Sequence, residues 1–121
     1  MQNFEVIFYR KENGEESAKD FLINLEPKMR AKIARAISKL EKNDTKLREP
    51  FSKHIEDSIF KFRATFYSNV LCVLHFFFTG RTIILTNDFI KKTQKTPRSE
   101  IEKAKRYRDT YFQRRNNKNG N

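Results

Sequence analysis

Apolar positions recur along this chain with two periods, and the change between them separates a mainly helical first part from a stranded second part. Phe4–Tyr9 is dense in β-branched and aromatic residues and reads as a strand, closed by the polar stretch Arg10–Glu16 with its Asn13-Gly14 turn signal. Ser17 then caps a short helix over Ala18–Leu25, where a hydroxyl can accept from the free N–H groups of the first turn. Glu26-Pro27 opens a second helix. In it Leu25, Met29, Ile33, Ile37 and Leu40 fall at spacings of three and four, with Lys28, Arg30, Lys32, Arg35 and Lys39 on the other sides. This is an amphipathic helix laid on a sheet, and its Met and Ile residues are core.

Asn43–Asp57 is polar, contains Pro50 and reads as a long connection, after which the period becomes two. Phe60, Phe62, Ala64 and Phe66 alternate with Ile59, Lys61, Arg63 and Thr65, as in a strand with one dry face and one wetter face. Tyr67-Ser68-Asn69 suits a tight turn. Val70–Phe78 is apolar on both faces, as a covered central strand is, and Thr79-Gly80-Arg81 leads into a last strand over Thr82–Ile90. Thr96-Pro97, followed by Glu100 and Glu102, is a helix start, and the helix after it is basic with a thin apolar side of Ile101, Ala104, Tyr107, Tyr111 and Phe112. The predicted order is β-α-α-β-β-β-α. It describes an α+β fold in which an antiparallel sheet carries the N-terminal helix pair on one face, with a basic C-terminal helix. A single domain over 1–115 and a disordered tail over 116–121 are expected.

Charge sharpens this picture. The 121 residues hold 26 Lys plus Arg against 15 Asp plus Glu, a net charge of +11. Residues 1–58 contribute 12 basic and 11 acidic side chains, whereas 59–121 contribute 14 and 4. A solvated basic helix explains part of that excess. The sharper reading is a footprint for a polyanion, with nucleic acid ahead of a membrane because no basic segment has a broad apolar face, and an acidic protein partner also fits. Cys72 is the one cysteine and His54 and His75 the two histidines, too few for a disulfide or a dedicated metal cage, so neither a metal nor a cofactor is expected. Gly14, Gly80 and Gly120 stand apart, so no Gly-rich phosphate loop exists. The longest apolar run, Val70–Phe78, is far below the ~18–20 residues that span a bilayer, and MQNFEVIFYR lacks the basic start of a secretion signal. The expected location is the cytoplasm, with no membrane partner.

The most informative segment runs from Phe89 through Lys91-Lys92-Thr93-Gln94-Lys95-Thr96-Pro97 to Glu100-Ile101-Glu102-Lys103-Ala104. It resembles the HigB-like, phage-derived branch of the RelE/ParE toxin superfamily, in which a strand ending in phenylalanine is followed by K-K-T-Q-K-T-P and a basic helix beginning E-I-E-x-A. Pro50–Arg63 is similar to that family's proline-to-arginine segment, although the closing E-L-R triplet reads Lys61-Phe62-Arg63 here. The likeness is close over about residues 50–110 and extends to the N-terminal part by order of elements only. It implies a type II toxin, a ribosome-dependent mRNA endonuclease in which the RNA's own 2′-hydroxyl attacks the adjacent phosphate without a metal. It also implies a cognate antitoxin of helix-turn-helix type, through which the pair would meet operator DNA. Where relatives usually carry a second arginine in the central strand, this chain has Cys72.

Pairing Phe66 with Val70 and Phe78 with Thr82 places Arg63 opposite Val73 and His75 opposite Lys61 and Leu85. One sheet face would then carry Lys61, Arg63, His75, Asn87 and Phe89, with Lys91 beyond its edge. On this reading Arg63, Lys91 and His75 are the catalytic candidates. Arg63 clamps the scissile phosphate, Lys91 neutralises the pentavalent intermediate or acts as an acid, and His75 is a general base. Lys61, Asn87, Phe89, Lys92, Lys95 and Arg98 are the RNA-binding candidates, Phe89 by stacking on a splayed base. Each has a plainer alternative: the lysines as a solvated run, His75 as a satisfied core histidine, Phe89 as core. Two other functions stay open: a ParE-like toxin that binds DNA gyrase without RNA chemistry, and a nucleic-acid-binding module that regulates its own operon.

Overall fold

The computed structural model describes residues 4–42, 53–78, 82–91 and 95–119, the side chains of Phe66 and 117–119 excepted. The elements are β1 (Glu5–Phe8), α1 (Ser17–Ile23), α2 (Pro27–Glu41), β2 (Lys53–Glu56), β3 (Ile59–Phe66), β4 (Asn69–Phe78), β5 (Thr82–Lys91) and α3 (Arg98–Asn119). The architecture is mixed α+β, compatible with a RelE-like fold: a five-stranded sheet in the order β1-β5-β4-β3-β2, flanked by three helices.

Three features depart from the sequence reading. A short strand, β2, stands in what reads as connection; Asp57 and Ser58, both at positive φ (48° and 69°), fold it back onto β3. Positive φ at both central positions is what a two-residue hairpin turn needs to follow strand twist. The sheet is antiparallel except at one edge, where β1 lies parallel to β5 with Glu5 opposite Thr82 and Phe8 opposite Leu85. A parallel neighbour requires a crossover. Here β1 is separated from β5 in sequence by the helix pair and the three other strands. The turn between β3 and β4 uses two residues instead of three, with Tyr67 at φ 56°, so Phe66 pairs with Asn69 and the hairpin shifts by one residue. In addition, α3 runs from Arg98 to Asn119.

Alternation along the strands divides the core into two layers. Phe62, Ala64, Leu71, Val73, Ile83 and Leu85 meet Leu22 of α1 and Met29, Ile33, Ala36 and Leu40 of α2. On the other face Ile59, Cys72, Leu74, Phe76, Ile84 and Phe89 pack with Tyr9 and Ala104, joined by Tyr107 and Tyr111. The apolar side of α3 is thin, and aromatic contacts make up for it. Tyr107 stacks on Tyr9 at 4.4 Å between ring centroids, and Tyr111 and Phe112 each meet both Phe76 and Phe78. Such pairs add about 0.5–1.5 kcal/mol each beyond the area they bury. No described helix is long and apolar enough to cross a membrane.

The start of α3 is also tied by charge. Glu56, next to the β2–β3 turn, accepts two hydrogen bonds from Arg98 at 2.8 and 2.6 Å and one from Lys105, and Arg108 donates to the Asp57 carbonyl. Thr86 is an extra residue in β5: the ladder to β4 slips between Leu74 and His75, and Thr86 Oγ1 donates to the Leu74 carbonyl at 3.0 Å. Beyond the bulge, Asn87 Nδ2 donates to the Glu100 carbonyl at 3.1 Å and to Glu100 Oε1 at 2.8 Å. The helix is thereby tied to the sheet from its first turn onward, and the end of the same sheet face that carries Arg63 and Thr65 stays exposed.

Candidate nucleic-acid interface

The pairing of β3, β4 and β5 builds that exposed end in rows. Lys61 lies opposite Leu74, and Leu74 opposite Asn87; Arg63 lies opposite Cys72, and Cys72 opposite Phe89; Thr65 lies opposite Val70, and Val70 opposite Lys91. Lys53 of β2 is paired across from Lys61. Side chains on one face of a sheet recur at every second residue, so Lys61, Arg63 and Lys91 share the α3 face although they belong to two different strands. Cys72 is fully buried and Phe89 nearly so, and they form an apolar floor between the cations.

Electrostatics distinguish the three cations. Arg63 is exposed and makes no ion pair with a described carboxylate, which leaves its planar fork of donors available. Lys61 is half-buried, and its Nζ donates to Thr96 Oγ1 at 3.3 Å. Burial, then the neighbouring Lys91 ammonium, hold the Lys61 amine below the ordinary lysine range, with Lys53 adding in the same direction. Two lysines placed together cannot both keep their protons as readily as one alone. Burial pushes the Cys72 thiol up, against the pull of Lys61, Lys91 and Arg63, so it is an inert thiol under a cationic rim. The first turn of α3 adds the positive end of a helix dipole beside Lys61.

Several residues expected at this site lie elsewhere. His75 pairs with Phe60 and Leu85, one residue off the Lys61 register, and so faces the helix-pair side of the sheet. It is fully buried among Phe60, Phe62 and Phe77, and burial lowers its pKa to about 4, which makes it a neutral core imidazole far from the cations. Asn87 spends its amide on Glu100, and Phe89 is floor and not a free stacking platform. Arg98 is bound to Glu56 and Glu102, and these partners raise its pKa further. Lys95 is exposed in the segment leading into α3, and Lys92 lies outside the described residues.

Sequence reasoning counts Lys61 among the RNA-binding candidates and reads Thr96 only as a helix cap, whereas the structure joins the two by a hydrogen bond. The signal for Lys61 was its place two residues before Arg63 on the same strand. A group that the sequence reading did not single out is Asp88, on β5 opposite Val73 and past the last β1 pair, whose carboxyl burial pushes up to about 8. Its Oδ2 is shielded and makes no hydrogen bond. Among the described residues no three His, Cys, Asp or Glu side chains converge as metal ligands would.

Taken together, the face can hold an anion with a guanidinium and two amines, one of them disposed to give up its proton. A family model described as "Phage derived protein Gp49-like (DUF891)" matches residues 20–109, which include α2, β2 to β5 and the first half of α3. No curated protein matches the chain.

Proposed function

The chain belongs to the phage-derived Gp49-like family, a RelE-like and often toxin-like family, and from that premise we propose that it is a HigB-like toxin that cuts translated mRNA at the Lys61–Arg63–Lys91 face. One observation carries the reading: two amines and a guanidinium from β3 and β5 meet over an apolar floor, and burial together with Lys91 depresses the pKa of Lys61. Arg63 clamps the scissile phosphate through its fork. Lys61, the amine more readily neutral, takes the proton of the 2′-hydroxyl as its oxygen bonds to phosphorus. Lys91 neutralises the charge that develops on the pentavalent phosphorus and gives its proton to the departing 5′-oxygen. The products are a 2′,3′-cyclic phosphate and a 5′-hydroxyl, and the chemistry needs no group beyond this chain's side chains.

As in toxin-like families generally, an antitoxin is the implied partner, here of helix-turn-helix type, linking the pair to operator DNA. An acidic segment of it covering this face would block RNA. The test is message integrity in a translation reaction. Added protein should produce cuts within the translated region, and Arg63→Ala or Lys61→Met should reduce them by about 10²-fold or more, the usual scale for losing one general base or one charge-stabilising donor. Cys72 favours a second reading, because it leaves the central strand β4 without a charged side chain on this face. In that case the chain binds DNA gyrase, and gyrase-dependent DNA breaks would appear while messages stay whole.

A further inference from the structure

At the far end of α3, away from the Lys61–Arg63–Lys91 face, a cleft of about 380 Å³ opens between the end of β1, the start of α1 and the last turns of the helix. Arg10, Arg114, Arg115 and Tyr111 line it with Ile7, and Glu16 is the one carboxylate among them. That carboxylate is already shared: Arg10 Nη2 lies 3.3 Å from one of its oxygens and Lys19 Nζ 3.9 Å from the other. Arg114 is laid over the Tyr9 ring at 5.2 Å, its Nη1 donates to the Arg10 carbonyl at 2.6 Å, and its Nη2 is shielded without a hydrogen bond. Arg115 sits over the Phe78 and Tyr111 rings at 5.6 and 5.9 Å and faces no described carboxylate. A helix C-terminus favours a nearby cation, but that accounts for one guanidinium and not for three converging on a cavity. Planar guanidiniums held on aromatic rings lose little freedom when their N–H edges engage an oxyanion.

Resting on the RNA reading above, we propose that this cleft binds a backbone phosphate of the same RNA strand that is cut at the sheet face. From Arg98 to Arg115 is 17 residues, roughly 25 Å at 1.5 Å per helical residue, and both sites lie on the α3 side of the sheet. Arg106, exposed on α3, stands between them in sequence. RNA fits better than an acidic peptide because the cleft and the Lys61–Arg63–Lys91 face both present cations, and a single strand carries phosphates at regular intervals that can engage the two at once. The cleft is then a second anchor that sets the length of strand the protein grips.

Uncleavable 2′-O-methyl oligonucleotides of roughly four and about twelve nucleotides, within the range that single-strand sites cover, test this by fluorescence anisotropy. The longer strand should bind about tenfold tighter than the shorter one, equivalent to about 1.4 kcal/mol. Arg115→Gln and Arg10→Gln should each remove most of that gain while leaving the short strand's affinity unchanged, with thermal melts to confirm folding. Arg35→Gln, the same charge change on α2 across the sheet, should leave both affinities alone. Equal binding of the two lengths by the unaltered protein overturns the second anchor and spares the RNA reading, as does an equal loss from Arg35→Gln and Arg115→Gln. Failure of both strands to bind at all removes the RNA reading and the anchor together.

Discussion

A two-residue turn decides where the histidine goes. The alternating pattern of Ile59–Phe66 correctly places Lys61 and Arg63 on one face, but nothing in Tyr67-Ser68-Asn69 reveals that Asn69 is already strand, and a one-residue slip moves a paired side chain to the other face. Arg63 therefore meets Cys72 instead of Val73, and His75 turns into the core. Two titratable groups shifted by burial, His75 and Asp88, have opposite consequences for stability. His75 has a folded pKa near 4 against an ordinary 6.5, so the unfolded chain binds its proton first and stability is lost as pH falls from 6.5 to 4. His75→Phe should remove that acid-side loss, up to about 3 kcal/mol, in urea unfolding followed between those pH values. Asp88 runs the other way: with its folded pKa near 8 against 3.8, stability drops as pH rises across that interval. Asp88→Asn should flatten the slope and leave the protein more stable at pH 8. Lys61 gives the catalytic counterpart. In the proposed mechanism it works deprotonated as the base, so cleavage should climb with pH and level off below the ordinary lysine value of 10.5, and Lys91→Met should move that rise to higher pH by removing a neighbouring charge.

Among the elements, α2 and β3 follow from period, because a helix stripe and a sheet alternation are different arithmetic, while β4 follows from its unbroken apolar run and β5 from its place after the Thr79-Gly80-Arg81 turn signal. β2 does not. Its four residues lie outside the reach of a periodicity argument, and what makes them a strand is the Asp57-Ser58 turn together with the attachment of Glu56 to α3. The parallel placement of β1 was equally invisible, since partners distant in sequence leave no local signal. Glu56 holds two cations of α3, and those hydrogen bonds lower its pKa to about 2. Its contribution is therefore present above the ordinary carboxyl pKa of 4.5 and lost as pH falls toward 2. Glu56→Gln should free the first turns of α3, seen as faster hydrogen exchange over residues 98–105 at pH 7 with β4 unchanged; unaltered exchange there would show that Asn87 and the aromatic contacts suffice.

For the whole molecule, the uneven charge along the chain is what points in the sequence to a polyanion partner, and it does not say where such a partner would bind. Among the described residues Arg98, Lys105 and Arg108 are spent internally, on Glu56, Asp57 and Glu102, while Lys61, Arg63 and Lys91 lie at the sheet face and Arg114 and Arg115 at the β1–α3 cleft. If about three phosphates are neutralised there, affinity for single-stranded RNA should fall roughly twentyfold between about 50 and 200 mM salt. A flat salt response would place the interaction on apolar surface instead. The 2′-hydroxyl, not the protein, is the attacking group in this account, so a message carrying one 2′-deoxy nucleotide at a mapped cut site, translated in the presence of the protein, tests it most directly. The account predicts that cutting stops at that nucleotide alone while neighbouring sites still yield 2′,3′-cyclic phosphate and 5′-hydroxyl ends. Undiminished cutting at the deoxy position would contradict it.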